Sequence, residues 1–348
     1  MSDNIVRAVA AGSFALGASE AALAQGLRDR GWLVDEVESA RHYGARTLAE
    51  RAERRLRRTQ YEARYNADIV AACDRVRPDV LFTVKGSGIR DDTLTALEAR
   101  GIATVNYFPD YHLTDIAPGA IRAYSAFITT KSFQLDHLRD VRDPKPVHFV
   151  HHGYSPLVHR PLRRPSGLAA DIAYVGNASP YKAAFLTPLV AANPGAIVRI
   201  YGANWEVYRD TPLASAIVGE RVSPDYMAEV VATSAINVSL HMGRTASQEW
   251  EDLVSTRTFE IPACGGFMLH IDNAEVRSLF DVPGEIDVFA TPEELVAKAL
   301  HYLDHPVDRR AIAARGQARA VPAYSYAARA VEIADIVEPL VEQRRRAT

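Results

Sequence analysis

Residues 5–37 have the sequence IVRAVAAGSFALGASEAALAQGLRDRGWLVDEV. The apolar run Ile5–Ala11 predicts a strand, and apolar residues at helical spacing over Ser19–Arg30 predict a helix. A second apolar run, Trp32–Val37, predicts another strand. Strand, helix and strand in this order form a βαβ unit, in which the two strands are parallel. This part of the sequence is therefore predicted to be α/β.

The same alternation continues along the rest of the sequence. After an arginine-rich helical stretch, Arg46–Arg77, we expect strands at Val80–Val84, Ile102–Asn106, Ala126–Thr129 and Val147–Val150, and a helix at Asp91–Arg100. A second series has predicted strands at Asp171–Val175, Ala196–Tyr201, Ala235–Leu240, Gly266–His270 and Ile286–Phe289. Its predicted helices are Pro180–Ala192, Pro224–Thr233, Glu249–Ala263, Pro292–Leu303 and Tyr324–Arg345.

Two alternating series predict two tandem, doubly wound Rossmann-like domains with parallel sheets. Residues 1–155 are predicted as the first domain, 156–168 as a linker rich in proline and arginine, and 169–323 as the second domain. Residues 324–348 are predicted to form a helix that crosses back to the first domain. The length of 348 residues suits two domains of ordinary size.

Composition and charge exclude several classes of protein. Hydrophobic residues make up 48% and charged residues 24%, which is typical of globular proteins. The net charge of -3 argues against a protein that binds nucleic acid through bulk electrostatics. Cys73 and Cys264 lie far apart, so we expect neither a disulfide framework nor a zinc site, and a cytoplasmic setting is favoured. No uninterrupted apolar run reaches the roughly 18 residues that a membrane span needs.

A motif in the second predicted domain carries a family resemblance. The run Ser255-Thr-Arg-Thr-Phe-Glu-Ile-Pro-Ala-Cys-Gly-Gly-Phe-Met-Leu-His270 resembles a motif of two-domain glycosyltransferases of the GT-B type. It is most similar to the CgeB-like group, named for a spore-maturation protein, and Phe259–Gly266 is its most specific part. The likeness covers most of the chain and includes Tyr174–Asn177, Val238–His241, Val84–Gly86 and Asn106–Asp110.

The resemblance implies a GT-B fold with a central cleft, and an enzyme of the hexosyltransferase type that moves a sugar from a nucleotide diphosphate sugar to an acceptor. A nucleotide-sugar epimerase and a non-catalytic protein that binds nucleotide sugars or polysaccharide stay open as alternatives. In many retaining members two glutamates lie eight positions apart on one helix. Here Asp252 lies eight positions before Glu260, which leaves the anomeric outcome open.

Transfer of a sugar requires that the departing diphosphate be neutralised. Doubly wound domains bind anions at the carboxyl ends of their strands, where helix N-termini present free N–H groups. The candidate donor-binding residues of the second domain are Gly176, Asn177, Lys182, Gly202, Trp205, Val222, His241, Thr256, Arg257 and Glu260.

Charge suggests the roles of three of these residues. We expect Lys182 to pair with a phosphate, and Thr256 and Arg257 to donate hydrogen bonds to the diphosphate. An ordinary helix-capping loop with a surface lysine, and an intramolecular salt bridge of the arginine, are the structural alternatives.

The resemblance suggests further roles. It places Glu260 on the ribose hydroxyls and His241 on the sugar or a phosphate, and it places Val222 in a segment that contacts the base through backbone groups. From its position at a strand end, Trp205 is predicted to pack on the base, with Gly202 allowing close approach. A core position for the tryptophan and a structural role for the histidine are the alternatives.

The first domain supplies the acceptor side of the predicted site. The loop Gly12-Ser-Phe-Ala-Leu-Gly17 resembles the glycine loop that faces the donor phosphates, although it also fits a plain tight turn. Asp110 is predicted as the general base for the acceptor hydroxyl, with His112 as second choice and solvated loop residues as the alternative. The glycine turn Lys85–Gly88 is a further candidate to line the site.

Two remaining features concern partners and metals. The segment Arg41–Arg64 holds eight arginines against three glutamates, which predicts either a solvated helix face or contact with an anionic surface. His151 and His152 have no third ligand at metal spacing and are predicted to be structural. We therefore expect no metal and no cofactor, with the nucleotide sugar as co-substrate.

Overall fold

The computed structural model describes residues 5–44, 47–162, 169–219, 221–243 and 250–347. The chain divides into two compact units. The first unit comprises Met1–His152 together with Tyr326–Thr348, and the second comprises Gly153–Ser325.

The first unit is built on a six-stranded parallel sheet. Its strands are β1 (Arg7–Gly12), β2 (Leu33–Glu38), β3 (Val80–Val84), β4 (Ala103–Phe108), β5 (Ala126–Thr129) and β6 (Val147–Phe149). The spatial order is β2-β1-β3-β4-β5-β6, and adjacent strands pair in parallel. β3, β4 and β5 are buried along their whole length, as expected for strands that helices cover on both faces.

Helices cover this sheet. They are α1 (Ser19–Asp29), α2 (Ala40–Tyr43), α3 (Leu48–Leu56), α4 (Arg58–Val76), α5 (Asp91–Glu98), α6 (Pro118–Ala123), α7 (Leu135–Arg142) and the C-terminal helix (Tyr326–Ala347). The C-terminal helix packs on α1, and its Ile333 and Val337 share one apolar core with Leu23. Gly26 permits this close approach, because a Cβ at that position would lie 2.6 Å from the Cβ of Ala330.

The second unit contains a five-stranded parallel sheet with the order β11-β10-β9-β7-β8. Its strands are β7 (Ala170–Val175), β8 (Val198–Tyr201), β9 (Ser234–Ser239), β10 (Met268–Ile271) and β11 (Asp287–Phe289). Its helices are α8 (Pro180–Ala192), α9 (Pro224–Ala232), α10 (Thr256–Ala263), α11 (Ala274–Leu279), α12 (Pro292–Asp304) and α13 (Pro306–Ala320). Two separate apolar clusters form its core.

Each sheet has one topological switch point. β1 lies between β2 and β3, and β7 lies between β8 and β9, so the chain leaves the first strand of each sheet in both directions. In open α/β sheets, ligands bind at the carboxyl ends of the strands at such a point. The loops there are 12–17 after β1, 85–88 after β3, 176–179 after β7 and 240–243 after β9.

The predicted fold class is confirmed: both units are α/β with parallel sheets. Several predicted boundaries differ from those in the structure. Within the predicted helical stretch 46–77, residues 48–76 form two helices that meet at Arg57, and α2, α6, α7, α11 and α13 were not predicted. Residues 154–159 pack in the second unit, where Tyr154, Val158 and His159 are buried. Of the predicted linker 156–168, positions 163–168 lie outside the described residues.

The helix predicted over Glu249–Ala263 begins only at Thr256. Two hydrogen bonds hold this start: the N–H of Ser255 donates to the Thr258 hydroxyl oxygen at 3.2 Å, and the N–H of Thr258 donates to the Ser255 carbonyl at 3.1 Å. Asp252 therefore does not share a helix with Glu260, and the predicted start of this helix is wrong.

No helix within the described parts of the chain combines the length and the apolar character that a membrane span needs.

Candidate functional site

Hydrogen bonds hold the loop after β7 in place at the switch point of the second unit. The Gly176 carbonyl accepts a hydrogen bond from Trp205 Nε1 at 2.8 Å, and Asn177 Oδ1 accepts one from the N–H of Ala203 at 3.1 Å. Ser179 caps α8 by accepting the N–H of Lys182 at 3.3 Å. Gly202 has a φ of +134°, and a Cβ there would overlap the Gly176 carbonyl. Both predicted glycines are therefore needed for this close approach.

Lys182 lies in the first turn of α8 and is buried. Its Nζ donates to the Asn177 carbonyl at 2.9 Å. Burial and the neighbouring Arg257 guanidinium lower the pKa of Lys182 to about 8, while Asp252 acts in the opposite direction. Two cations are thus held close together at the carboxyl edge of the sheet, with one carboxylate nearby.

Arg257 is the second of these cations, and it lies in the first turn of α10 beside Thr256. Its Nε atom is buried and has no hydrogen-bond partner among the described residues. A buried donor without a partner is costly, which makes it a ready site for an acceptor brought by a ligand. The N-termini of α8 and α10 add their partial positive charge to the two cations. The arrangement suits an anion such as a diphosphate.

Glu260 lies one turn further along α10. Its side chain is 15% exposed, and Oε1 lies 3.7 Å from Nε2 of the buried His159. His159 is fixed in turn, because its Nδ1 accepts the N–H of Ser155 at 3.2 Å. The carboxylate is therefore partly buried but reachable, as a ribose-binding role requires, and that role stays a prediction.

His241 follows β9 and belongs to a buried polar cluster. His270 Nδ1 lies 2.6 Å from the Ile271 carbonyl and must donate to it, so the Nε2 atom of a neutral His270 accepts. Burial lowers the pKa of His270 to about 4, which keeps the ring neutral. His241 Nε2 and Thr258 Oγ1 approach that acceptor at 2.9 Å and 3.0 Å. His270, which orients His241, was missed by sequence reasoning.

The predicted stacking of Trp205 on the base is wrong. The indole is 0% exposed and packs edge-on against Tyr174 at a centroid distance of 5.9 Å. Its N–H is used by the Gly176 carbonyl, so the residue supports the loop from inside the core. Val222 lies partly buried against the core just before α9, and its predicted backbone contact with the base is untested.

The corresponding switch point of the first unit holds carboxylates. Glu20, in the first turn of α1, lies against Gly12, where a Cβ would be 2.7 Å from Glu20 Cγ. Gly17 has a φ of +84°, which favours glycine and lets the loop turn into α1. Asp110 pairs with Lys85 at 2.8 Å between Oδ2 and Nζ. Glu20 was missed because a first-turn glutamate looks like an ordinary helix-stabilising residue.

The remaining histidine candidates of the first unit differ in burial. His112 is exposed and packs edge-on against Tyr111 at a centroid distance of 4.6 Å, which favours the solvated-loop alternative. His152 is buried, and its Nε2 lies 3.0 Å from Thr130 Oγ1, so the interpretation of this histidine as structural fits. Within the described ranges, no group of three His, Cys, Asp or Glu side chains could hold a metal ion.

The arginine-rich segment 41–64 forms α2, α3 and the start of α4, with residues 45–46 outside the described part. Glu53 pairs with Arg57 and Glu62 with Arg58, and the Arg54 guanidinium lies over the Tyr61 ring at 4.8 Å. These contacts are those of a solvated helix face, and contact with an anionic surface stays a prediction.

Comparison with solved structures agrees with this architecture. A sucrose-phosphate synthase from Thermosynechococcus elongatus superposes with a TM-score of 0.67 at 11% identity, covering 97% of this chain and 100% of that one. HepE from Anabaena in complex with UDP gives 0.60 at 12%, covering 96% and 100%. A structure described as a UDP-N-acetylglucosamine 2-epimerase from Listeria monocytogenes gives 0.57 at 11%, covering 97% of each chain. At such low identity these likenesses establish the GT-B fold alone.

One family model matches part of the sequence. Residues 181–335 match a family described as glycosyl transferase-like, and this range includes Lys182, His241, Arg257 and Glu260. No curated protein shows a significant sequence match to this chain.

Proposed function

We propose that the protein is a glycosyltransferase that moves a sugar from a nucleotide diphosphate sugar to an acceptor. The second unit binds the nucleotide, and the first unit binds the acceptor. The observation that carries the proposal is the pair of neighbouring cations, Lys182 and Arg257, one with a lowered pKa and the other with a buried Nε that lacks a partner among the described residues. Both lie at helix N-termini beside the switch point.

The chemistry follows from these positions. When the bond between the anomeric carbon and the diphosphate breaks, negative charge builds up on the departing phosphate oxygen. Lys182 and Arg257 are positioned to donate hydrogen bonds to that oxygen, which lowers the barrier because the charge is largest in the transition state. Glu260 would accept hydrogen bonds from the ribose hydroxyls, and His241 would contact the sugar or a phosphate.

The comparisons with known proteins also support a glycosyltransferase. The family match covers Lys182, His241, Arg257 and Glu260, which are proposed to bind the donor. HepE, which shares the fold, is described in complex with UDP and with UDP-glucose. We further propose, from the sequence resemblance, that the chain is CgeB-like, transfers a hexose and needs no metal. The two cysteines are buried and unpaired, which suits the proposed cytoplasmic setting.

Calorimetry of nucleotide binding tests the proposal. We expect one of UDP, GDP, dTDP, CDP and ADP to bind, and Arg257→Met to weaken that binding by about 10- to 100-fold, the scale of a hydrogen bond to a charged group. Arg310→Met is the matched control, because Arg310 is an exposed arginine on α13 and should leave the affinity unchanged. Unchanged affinity in Arg257→Met would remove this residue from the site.

A second function is favoured by one observation, the shared fold with a structure described as an epimerase. An epimerase would convert a nucleotide sugar to its epimer with no acceptor present, whereas a transferase would only hydrolyse it slowly. Mass spectrometry and NMR of UDP-, GDP-, dTDP-, CDP- and ADP-glucose after incubation with the protein distinguish the two.

A further inference from the structure

The first unit contains a partly buried carboxylate that the proposed function does not yet use. Glu20 lies at the switch point between β1 and β3, in the first turn of α1. Its Oε2 accepts a hydrogen bond from Ser19 Oγ at 2.9 Å, and the backbone N–H groups of Ser13 and Glu20 also donate to the carboxylate. Gly12 leaves the space in which the Glu20 side chain lies. The side chain is therefore held in one place on the carboxyl edge of the sheet.

Asp110, the base predicted from sequence, is in a different situation. Its Oδ2 lies 2.8 Å from Lys85 Nζ, so the charge of Asp110 is largely compensated. Lys85 has a φ of +69°, an unusual conformation for a residue with a side chain, and Asn106 Nδ2 donates to the Lys85 carbonyl at 3.2 Å. Strained residues of this kind cluster at functional sites, because the surrounding structure must hold them in place.

We propose that Glu20 is the carboxylate that accepts the proton of the acceptor hydroxyl, with the Lys85–Asp110 ion pair as neighbouring charges on the same edge of the sheet. This inference rests on the proposed function and names the proton acceptor of that reaction. The acceptor oxygen forms a bond to the anomeric carbon and its hydrogen passes to Glu20. The bond from that carbon to the diphosphate breaks, and its electron pair leaves with the nucleoside diphosphate.

The charges around Glu20 fit this role. Burial raises the pKa of Glu20, while the hydrogen bonds from Ser19 and Ser13 and the positive charge of Lys85 act against that rise. The charge of Glu20 is one of those that raise the pKa of Tyr65 on α4, and Glu38 at the end of β2 accepts the N–H of Phe14 in the loop 12–17. A carboxylate with a raised pKa accepts a proton more readily than an exposed one.

A purely structural role is the competing explanation, because Glu20 also orders the loop 12–17. Glu20→Gln separates the two explanations. The glutamine side chain keeps the shape, and its amide oxygen can still accept up to two of the hydrogen bonds from Ser19 and the backbone, but it cannot take a proton at neutral pH. A structural role predicts little loss of activity in this variant, whereas proton transfer predicts a large loss.

The experiment measures release of nucleoside diphosphate from UDP-, GDP-, dTDP-, CDP- and ADP-glucose, with water as the acceptor, as a function of pH. Nucleotide binding is measured on the same samples by calorimetry. We expect Glu20→Gln to lower turnover by about 100-fold or more while the nucleotide affinity stays unchanged. In the wild type the rate should fall on the acid side as Glu20 becomes protonated.

Variants of the neighbouring pair sharpen the result. Lys85→Met removes a positive charge that lowers the pKa of Glu20, so the acid limb of the profile should move to higher pH. Asp110→Asn removes the charge that compensates Lys85, so the limb should move to lower pH. Loss of turnover in Asp110→Asn with turnover retained in Glu20→Gln would overturn the inference.

The remaining outcomes of the experiment also test the inference. A wild-type protein that binds a nucleotide but hydrolyses none of the five nucleotide sugars overturns the inference and favours a binding protein. If no nucleotide binds, the proposed function itself fails, and the inference fails with it. Nucleotide binding with full turnover in Glu20→Gln removes only the inference.

Discussion

The two sheets of this protein share one topology but carry opposite charge chemistry at their switch points. At the β7/β9 point, the cations Lys182 and Arg257 lie close together, and burial lowers the pKa of the lysine. At the β1/β3 point, the corresponding group is the partly buried Glu20, whose pKa is raised by loss of solvent. The first arrangement can bind an anion, and the second can accept a proton. The fold thus supplies the location, and a few side chains decide what each location can bind.

The largest expected effect comes from reversing the charge at the β7/β9 point. Lys182→Glu places a carboxylate where we propose that the diphosphate binds, so repulsion replaces attraction. We expect nucleoside diphosphate affinity to fall by more than about 100-fold. Calorimetry with the nucleotide that binds the wild type measures this. The matched control is Lys298→Glu. Lys298 pairs with Asp287 on β11, an edge strand that β10 and β9 separate from β7, so this variant should keep the nucleotide affinity of the wild type.

Nucleotide binding should also depend on pH. The Lys182 ammonium has a pKa of about 8, and a bound diphosphate favours the protonated form. Above pH 8 the lysine must take up a proton when the nucleotide binds, so we expect affinity to fall by up to about tenfold per pH unit between pH 8 and 10. Calorimetry in buffers of different ionisation enthalpy would detect the proton uptake. In Lys182→Met, both the pH dependence and the uptake should disappear, and their persistence would assign them to another group.

Much of the fold could be predicted from the sequence, because buried parallel strands are short apolar runs with punctuating glycines. Val80–Val84 and Ala126–Thr129 were predicted with their observed bounds for that reason. The start of α10 could not be predicted, because apolar spacing continues upstream of Ser255. In the structure the preceding segment is tied to its neighbours instead, since Asn273 Nδ2 donates to the Leu253 carbonyl at 2.9 Å.

The candidate sites show where sequence reasoning reached its limit. Lys182 and Arg257 could be selected because charged residues after a strand and at a helix start are informative by position alone. Trp205 could not be assigned, because only packing against Tyr174 decides that its ring turns into the core. Glu20 was missed because its burial depends on the space beside Gly12, which nothing in the local sequence pattern reveals.

The smallest expected effect concerns stability, and it has opposite pH dependence in the two units. The pKa of Lys182 is lowered on folding, so its charge destabilises the native state below pH 8, and stability recovers as pH rises towards the unfolded value of 10.5. Lys182→Met should therefore raise the free energy of unfolding by about 1–2 kcal/mol at pH 7, with a gain that shrinks above pH 8.

The pKa of Glu20 is raised above 4.5, so the destabilisation caused by its charge is absent in acid and grows as pH rises through the folded value. Glu20→Gln should thus give a smaller gain in stability at pH 7 than Lys182→Met does, and none in acid below pH 4.5. Thermal unfolding of both variants across pH measures the two trends, and gains of the same pH dependence would mean that the two switch points do not differ as their charges indicate.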